Sequence, residues 1–196
     1  MTGTFSSPVY EKFLKDAQGK LEGATRGGIQ GTVEPDKLKP GETIYRIGHS
    51  TSSDDVNISS PWWMRSQTFY EIAARADRHE IDFQDLYRHK AAAAKSFGVA
   101  DLVLKATVLQ QVRVLTGRGR PVIDVDKNTK EITGSWQGGL EITQVYVPGL
   151  REDPGRDFRR PSSIYNTLIK VVMKVPVSDY MKKNWANRAR AFSVLL

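Results

Sequence analysis

The sequence predicts an α+β fold. Three observations carry that reading: an early β-rich stretch, Thr43-Ile44-Tyr45-Arg46-Ile47; two amphipathic helical segments after it; and a later block of alternating segments divided by turns. Helices gathered between an early strand and a later run of strands do not match the regular βαβ alternation of a parallel sheet. The 196 residues suffice for one buried core, and 39% hydrophobic with 26% charged residues is a globular composition.

The elements follow in order. Pro8 suits a first helical position, and Val9, Phe13, Ala17 and Leu21 recur at helical spacing, predicting a helix over residues 8–21. Gly23, Gly27, Gly28 and Gly31 break any period, so residues 22–40 read as a loop. The chain is thus expected to divide into an N-terminal helix with a Gly-rich linker, 1–40, and a single domain with a basic C-terminal helix, 41–196. Pro40-Gly41 turns the chain into the first strand, and a polar stretch, 50–60, leads to Pro61-Trp62-Trp63-Met64. Phe69, Ile72, Ala73 and Ala76 share a helix face, and Thr68 with Glu71 matches a capping box. A second helix, about 82–97, gathers Phe83, Leu86, Tyr87, Ala91, Ala94 and Phe97, and Gly98 ends it.

Leu104, Ala106, Val108, Val112 and Val114 alternate with mostly polar neighbours, Gln110 being the one break, predicting extended chain up to a hairpin turn at Thr116-Gly117-Arg118-Gly119. Val122–Val125 is a short strand and Asp126-Lys127-Asn128-Thr129 a turn. Gly138-Gly139 leads into a strand from Leu140 to Val147, stopped by Pro148-Gly149. Residues 163–175 are apolar and fit either a helix or a strand, and 178–192 read as an amphipathic helix with Met181, Trp185, Ala189 and Phe192 on one side.

Composition excludes several chemistries. Zero cysteine removes disulfides, thiolate metal sites and Cys nucleophiles. His49, His79 and His89 lack metal-ligand spacing, so no metal is expected. Nucleophile elbow, Walker loop and dinucleotide fingerprint are all missing. No apolar run approaches the ~20 residues of a membrane span. Met1 to Pro8 shows no secretory signal, which makes cytoplasmic residence the default expectation; secretion or translocation would need a dedicated system. Of the net +7, residues 170–190 hold +5: Lys170, Lys174, Lys182, Lys183, Arg188 and Arg190 against Asp179. Such a patch is either a solvated helix face or a surface for nucleic acid, anionic membrane or an acidic partner.

Three features carry chemistry. Alternation turns Arg46 away from Tyr45 and Ile47, towards either a carboxylate or a phosphate that fits its planar fork. Ser59-Ser60-Pro61-Trp62-Trp63 sets hydroxyls beside two large aromatics, which either anchor a core or stack on a flat ring. Glu141 enters an apolar strand directly after a glycine pair, where an acid must be exposed, paired or functional.

In that order, the features resemble the ADP-ribosyltransferase superfamily of bacterial toxins and effectors, in its arginine-serine-glutamate branch. Tyr45-Arg46-Ile47-Gly48 resembles the first-strand arginine motif, Ser60-Pro61-Trp62-Trp63 the serine motif, and Trp136-x-Gly138-Gly139-Leu140-Glu141-Ile142 the motif bearing the catalytic acid. The likeness spans residues 42–150, including Leu102 to Gly117 as the long strand pair after the helices. It implies a split β-sheet core with helices inserted after the first strands. It also implies NAD as substrate, with Arg46 on a phosphate, Ser60 or Ser59 supporting that geometry, Trp62 or Trp63 at the nicotinamide pocket and Gly139 beside it. Glu141 would stabilise the oxocarbenium-like state as nicotinamide leaves. The same layout is similar to the tuberculosis necrotizing toxin family of NAD glycohydrolases, which carries Gln where Glu141 stands.

The resemblance therefore implies a mono-ADP-ribosyltransferase toxin or effector, with an NAD glycohydrolase as the alternative and a basic binding module as a third reading. Partners implied are a protein or nucleic-acid acceptor of ADP-ribose and an immunity or carrier protein, the chain itself being a monomer. Arginine-modifying members carry Glu or Gln where this chain has Gly139, which argues against an arginine acceptor. Gln137 could substitute there only if the loop bulges. Ser50-Thr51-Ser52 matches the family's Ser-Thr-Ser string but follows Arg46 too closely to lie on a separate strand.

Overall fold

The computed structural model describes residues 28–126, 128–139, 142–151 and 160–182. The helix expected over 8–21, Glu141 and the tail beyond Lys182 lie outside the described residues.

The α+β class is observed. Seven strands form an antiparallel sheet: β1 (Ile29–Leu38), β2 (Thr43–Gly48), β3 (Trp62–Arg65), β4 (Leu102–Val108), β5 (Val112–Gly119), β8 (Thr143–Tyr146) and β9 (Ile169–Pro176). Their order is β1-β5-β8-β3-β2-β4-β9. A separate hairpin pairs β6 (Val122–Val125) with β7 (Ile132–Trp136). Three helices, α1 (Asp54–Ser59), α2 (Ser66–Arg78) and α3 (Phe83–Ala91), fall between β2 and β4. The single turns α4 (Tyr165–Leu168) and α5 (Val177–Tyr180) flank β9. Among the described residues, no helix is long and apolar enough to cross a membrane.

The sheet cannot be flat. β4 and β5 are joined by residues 109–111 yet stand four places apart. Four strand spacings come to about 19 Å. The chain from Val108 to Val112 spans about 14 Å at full extension. The β1-β5-β8 half therefore folds back over the β2-β4-β9 half, and between them lies a core that includes Ile44, Trp63, Leu104, Ala106, Val112 and Val145. Among the described residues β3 alone joins the halves, pairing with two residues of β2 and two of β8. A second core packs α2 and α3 on the far face of β2, with Phe69 stacked on Tyr45 at 4.3 Å and Ile72, Ala73 and Ala76 buried beside it.

Several elements differ from the sequence expectation, each for a local reason. Residues 29–38, expected in the linker, form an edge strand of the sheet with Ile29 and Leu38 fully buried, so the boundary at 40 cuts through sheet structure. The glycines that broke the helical period do not bar an extended edge strand, which also tolerates Pro35. The polar stretch contains α1, capped by Ser53 Oγ accepting from the Val56 amide at 3.4 Å. α2 begins at Ser66, which puts Thr68 inside the helix and disposes of the capping box; Glu71 accepts instead from Gln67 at 3.0 Å. α3 stops at Ala91 because Ala92 turns left-handed, φ +50°, and only a short turn, Lys95–Phe97, follows. Residues 116–119 belong to β5, the reversal falling at 109–111 instead. β8 starts at Thr143 because the glycine pair before it is engaged elsewhere: Gly138 and Gly139 donate to the His89 and Lys90 carbonyls at the end of α3, at 3.0 and 2.8 Å. Gly138 has φ +71°, and a Cβ there would lie 2.4 Å from the Gly119 carbonyl.

Candidate active site

The pairing between β2 and β3 ends at Tyr45. Arg46, the next residue, borders a cleft of about 420 Å³ that also takes in Trp62 of β3 and Gln144 of β8. Strand alternation sends Tyr45 and Ile47 into the helix-side core and leaves Arg46 to the opening. The direction of its guanidinium is set by α1: Arg46 Nη1 donates to the Asn57 carbonyl. Asn57 is fully buried and holds the loop after β2 as well, its Oδ1 accepting from the His49 amide at 2.9 Å and its Nδ2 donating to the His49 and Ser52 carbonyls at 2.8 and 3.3 Å.

Burial draws the Arg46 pKa down to about 10, Tyr87 opposing the shift and the Arg151 guanidinium reinforcing it. Arg46 therefore keeps its charge at neutral pH. Arg151 and Arg120 also line the cleft, and no carboxylate does among the described residues. Such a cleft is an electropositive hole with low-dielectric walls, suited to an anion.

Its walls are aromatic. Trp62 is held edge-on against Tyr146, with ring centroids 5.0 Å apart, and Tyr87 of α3 and Phe97 complete the wall. Ser60 borders the cleft but is nearly buried. The Gln144 amide Nε2 donates to the Ala91 carbonyl, so Oε1 is the acceptor turned away from that carbonyl.

The rim from Ala92 to Ala100 is shaped by two buried charges. Arg88 of α3 donates to the carbonyls of Ala93, Ala94 and Gly98 at 3.3, 2.9 and 2.6 Å. Asp124 of β6 accepts from the Lys95 and Ser96 amides at 2.6 and 3.0 Å and from Trp136 Nε1 at 2.7 Å. Burial alone would raise the Asp124 pKa, but these donors win and bring it to about 2. Gly98, with φ +127°, passes so close over His49 that a Cβ would lie 2.6 Å from the ring. His49 Nδ1 accepts from the Ala100 amide at 2.9 Å, which places the proton of the neutral ring on Nε2. Burial lowers the His49 pKa; Arg46 and Arg88 push the same way and Asp101 opposes them.

No protein-family model matches the chain, and neither does any curated protein. Two solved structures are similar in fold. One is Rhs1-CT in complex with its cognate immunity protein RhsI1, at 17% identity and TM-score 0.39, covering 76% of this chain and 82% of that one. The other is Tne2 in complex with Tni2, at 12% identity and TM-score 0.39, covering 76% and 95%. Likenesses of this depth assign no activity.

Of the residues singled out in the sequence, Arg46, Ser60 and Trp62 meet at the cleft. Trp63 does not: alternation turns it into the core between the sheet halves, where its Nε1 donates to the Ser60 carbonyl at 2.8 Å. Gly139 does not line the cleft either, its amide being used by α3. Glu141 lies outside the described residues. His79 closes α2, and His89 is exposed, its ring 4.8 Å from that of Trp136. No three of the described His, Asp and Glu residues could hold a metal ion. Part of the basic segment is compensated, since Lys174 of β9 pairs with Asp54. Sequence reasoning assigned no role to Asn57, Arg88, Gln144 or Arg151. The signal for Gln144 was present, as a polar residue two places from Ile142 in an apolar strand; Asn57 and Arg88 act through main-chain groups that no motif records.

Proposed function

We propose that the chain cleaves NAD at the nicotinamide–ribose bond, passes the ADP-ribosyl group to water, and serves as a toxin or effector. The observation that carries this reading is Arg46, a charged guanidinium held by a carbonyl rather than a carboxylate, in a cleft walled by Trp62. Buried charge without an acidic partner calls for an anionic ligand, and an aromatic wall beside it calls for a flat ring. A pyridine dinucleotide supplies both. Arg46 would take a phosphate and Trp62 would flank the nicotinamide. Gln144 Oε1 would accept from a ribose hydroxyl and fix the ring as the C–N bond breaks. The bonding pair leaves with nicotinamide, water adds to the ribose carbon and loses a proton.

Gln144 favours water as acceptor, because an amide on β8 can orient the ribose but cannot take a proton from a protein acceptor; the glycohydrolase resemblance itself places its Gln at position 141, not at 144. Transfer to a protein or nucleic acid is the second reading, supported by Glu141 after Gly138-Gly139 in the acid-bearing motif. The toxin or effector role, and an immunity or carrier protein as partner, rest on the motif order alone.

Labelled NAD incubated with the protein, with and without a cell lysate, tests the reading. Free nicotinamide and ADP-ribose are expected without lysate, with a loss on the order of 10²–10³ in kcat/KM for Arg46→Gln and Gln144→Ala. Label on a macromolecule that Glu141→Ala abolishes would move the assignment to transferase. Intact NAD with a folded protein would overturn both.

A further inference from the structure

We propose that Arg151 is the second arm of a pyrophosphate clamp with Arg46, and so the residue that selects a substrate carrying two linked phosphates over a mononucleotide. The proposal rests on the reading that the cleft takes a nucleotide. It is carried by a pair of like charges that the fold brings together in a cleft lined, among the described residues, by no carboxylate.

The position of Arg151 is built. It follows the fully buried Leu150, and its backbone bridges to Pro161. The Ser162 amide donates to the Leu150 carbonyl at 3.0 Å, and Ser162 Oγ donates to the Gly149 carbonyl. From this tethered position the side chain reaches the same cleft as Arg46. Its Nε is buried and has no hydrogen-bond partner among the described residues. A tethered arginine with an orphaned N–H, facing another arginine in a cleft whose described lining holds no acid, is a costly arrangement for the unliganded protein.

A ligand can remove that cost. Burial depresses the pKa of both arginines, and Arg151 adds to the depression at Arg46. Arg46 spends only Nη1 on Asn57, which leaves most of its five N–H donors for another acceptor. One phosphate can satisfy one guanidinium fork. Two adjoining phosphates satisfy both and separate the like charges with an anion. Arg120 already has a partner and is not needed for this geometry.

Calorimetric titration of the full chain with AMP, inorganic pyrophosphate and ADP-ribose is the test. The parent is expected to bind pyrophosphate and ADP-ribose more tightly than AMP. Arg151→Gln should weaken both by about 10–100-fold and leave AMP within about threefold. Equal affinity of parent and Arg151→Gln for ADP-ribose, with unchanged circular dichroism, would overturn the clamp. Equal loss for AMP and ADP-ribose would overturn the selectivity. If Arg151→Gln does not fold, Arg151→Lys carries the same comparison, with a smaller but still ADP-ribose-specific loss expected because ammonium cannot make the fork. Arg151-dependent pyrophosphate binding by a protein that leaves NAD intact would uphold the clamp and reject NAD cleavage. Cleavage with an unchanged KM in Arg151→Gln would do the reverse.

Discussion

Arg46 Nη1 donates to the main-chain carbonyl of Asn57, eleven residues further along the chain. The strand supplies the cation and the short helix after it supplies the direction. The same Asn57 side chain closes the loop between them by bonding both main-chain groups of His49, so strand end, loop and helix act as one bracket. A carbonyl anchor orients a guanidinium without cancelling its charge, which is what a residue meant for an anion requires.

Asn57→Ala should therefore harm stability and the cleft together. It leaves the half-buried His49 amide without its acceptor and two carbonyls without their donor, so about 2–4 kcal/mol should be lost in urea unfolding. Ligand affinity should fall as well, since the Arg46 anchor is no longer fixed. A loss under about 1 kcal/mol would mean that water replaces the amide and that the bracket is not held by Asn57.

Arg88→Met tests the rim. Arg88 is 5% exposed and bonds three carbonyls of the segment that follows α3. Methionine fills much of the space and offers no donor, so a loss on the order of 3 kcal/mol is expected. Amide exchange should accelerate across Ala93 to Gly98 before the sheet opens. Uniform acceleration over the whole chain would show that Arg88 supports the global fold and not this segment.

Much of the frame was legible because it rests on periodicity. Phe69, Ile72, Ala73 and Ala76 are the buried face of α2, and the alternation that turns Arg46 away from Tyr45 and Ile47 is the observed one. What was not legible depends on distant pairing. The reversal between β4 and β5 showed in the sequence only as one break in the alternation, at Gln110, and the turn was expected at 116–119 instead; sheet order puts it at 109–111. Trp62 and Trp63 read alike in sequence, and only the pairing of β3 with both halves decides which one faces the cleft. Arg151 carries no pattern at all; its role comes from a bridge to Pro161.

His49 gives a pH prediction at mild acidity. Its folded pKa lies below 6.5, for burial first and for the two nearby guanidiniums second. The unfolded chain then takes up the proton before the folded one does, so stability is present above pH 6.5 and falls as pH drops from there towards the folded pKa. Protonation would also set an Nδ1 proton against the Ala100 N–H, donor against donor. An NMR titration should place the His49 midpoint below 6.5, and His49→Gln should remove this portion of the pH dependence. A midpoint at or above 6.5 would reject the neutral Nε2–H form.

Asp124 governs a more acidic window, and its sign is the same for the opposite reason of charge. The carboxylate is favoured in the fold, its pKa lying near 2 against 3.8, because the Lys95 and Ser96 amides and the Trp136 indole all donate to it. Its contribution is complete above about pH 4 and is lost as pH falls towards 2, where the folded form protonates. At neutral pH the contribution is about 2 kcal/mol, from the size of that depression. Asp124→Asn keeps the shape but turns one oxygen acceptor into an amide NH2 donor facing main-chain N–H groups. The variant should be less stable than the parent at pH 7 and show a shallower decline between pH 4 and 2 in thermal unfolding. Parallel stability curves for the two proteins over that range would mean that Asp124 is not what ties the β6–β7 hairpin to the rim of the cleft.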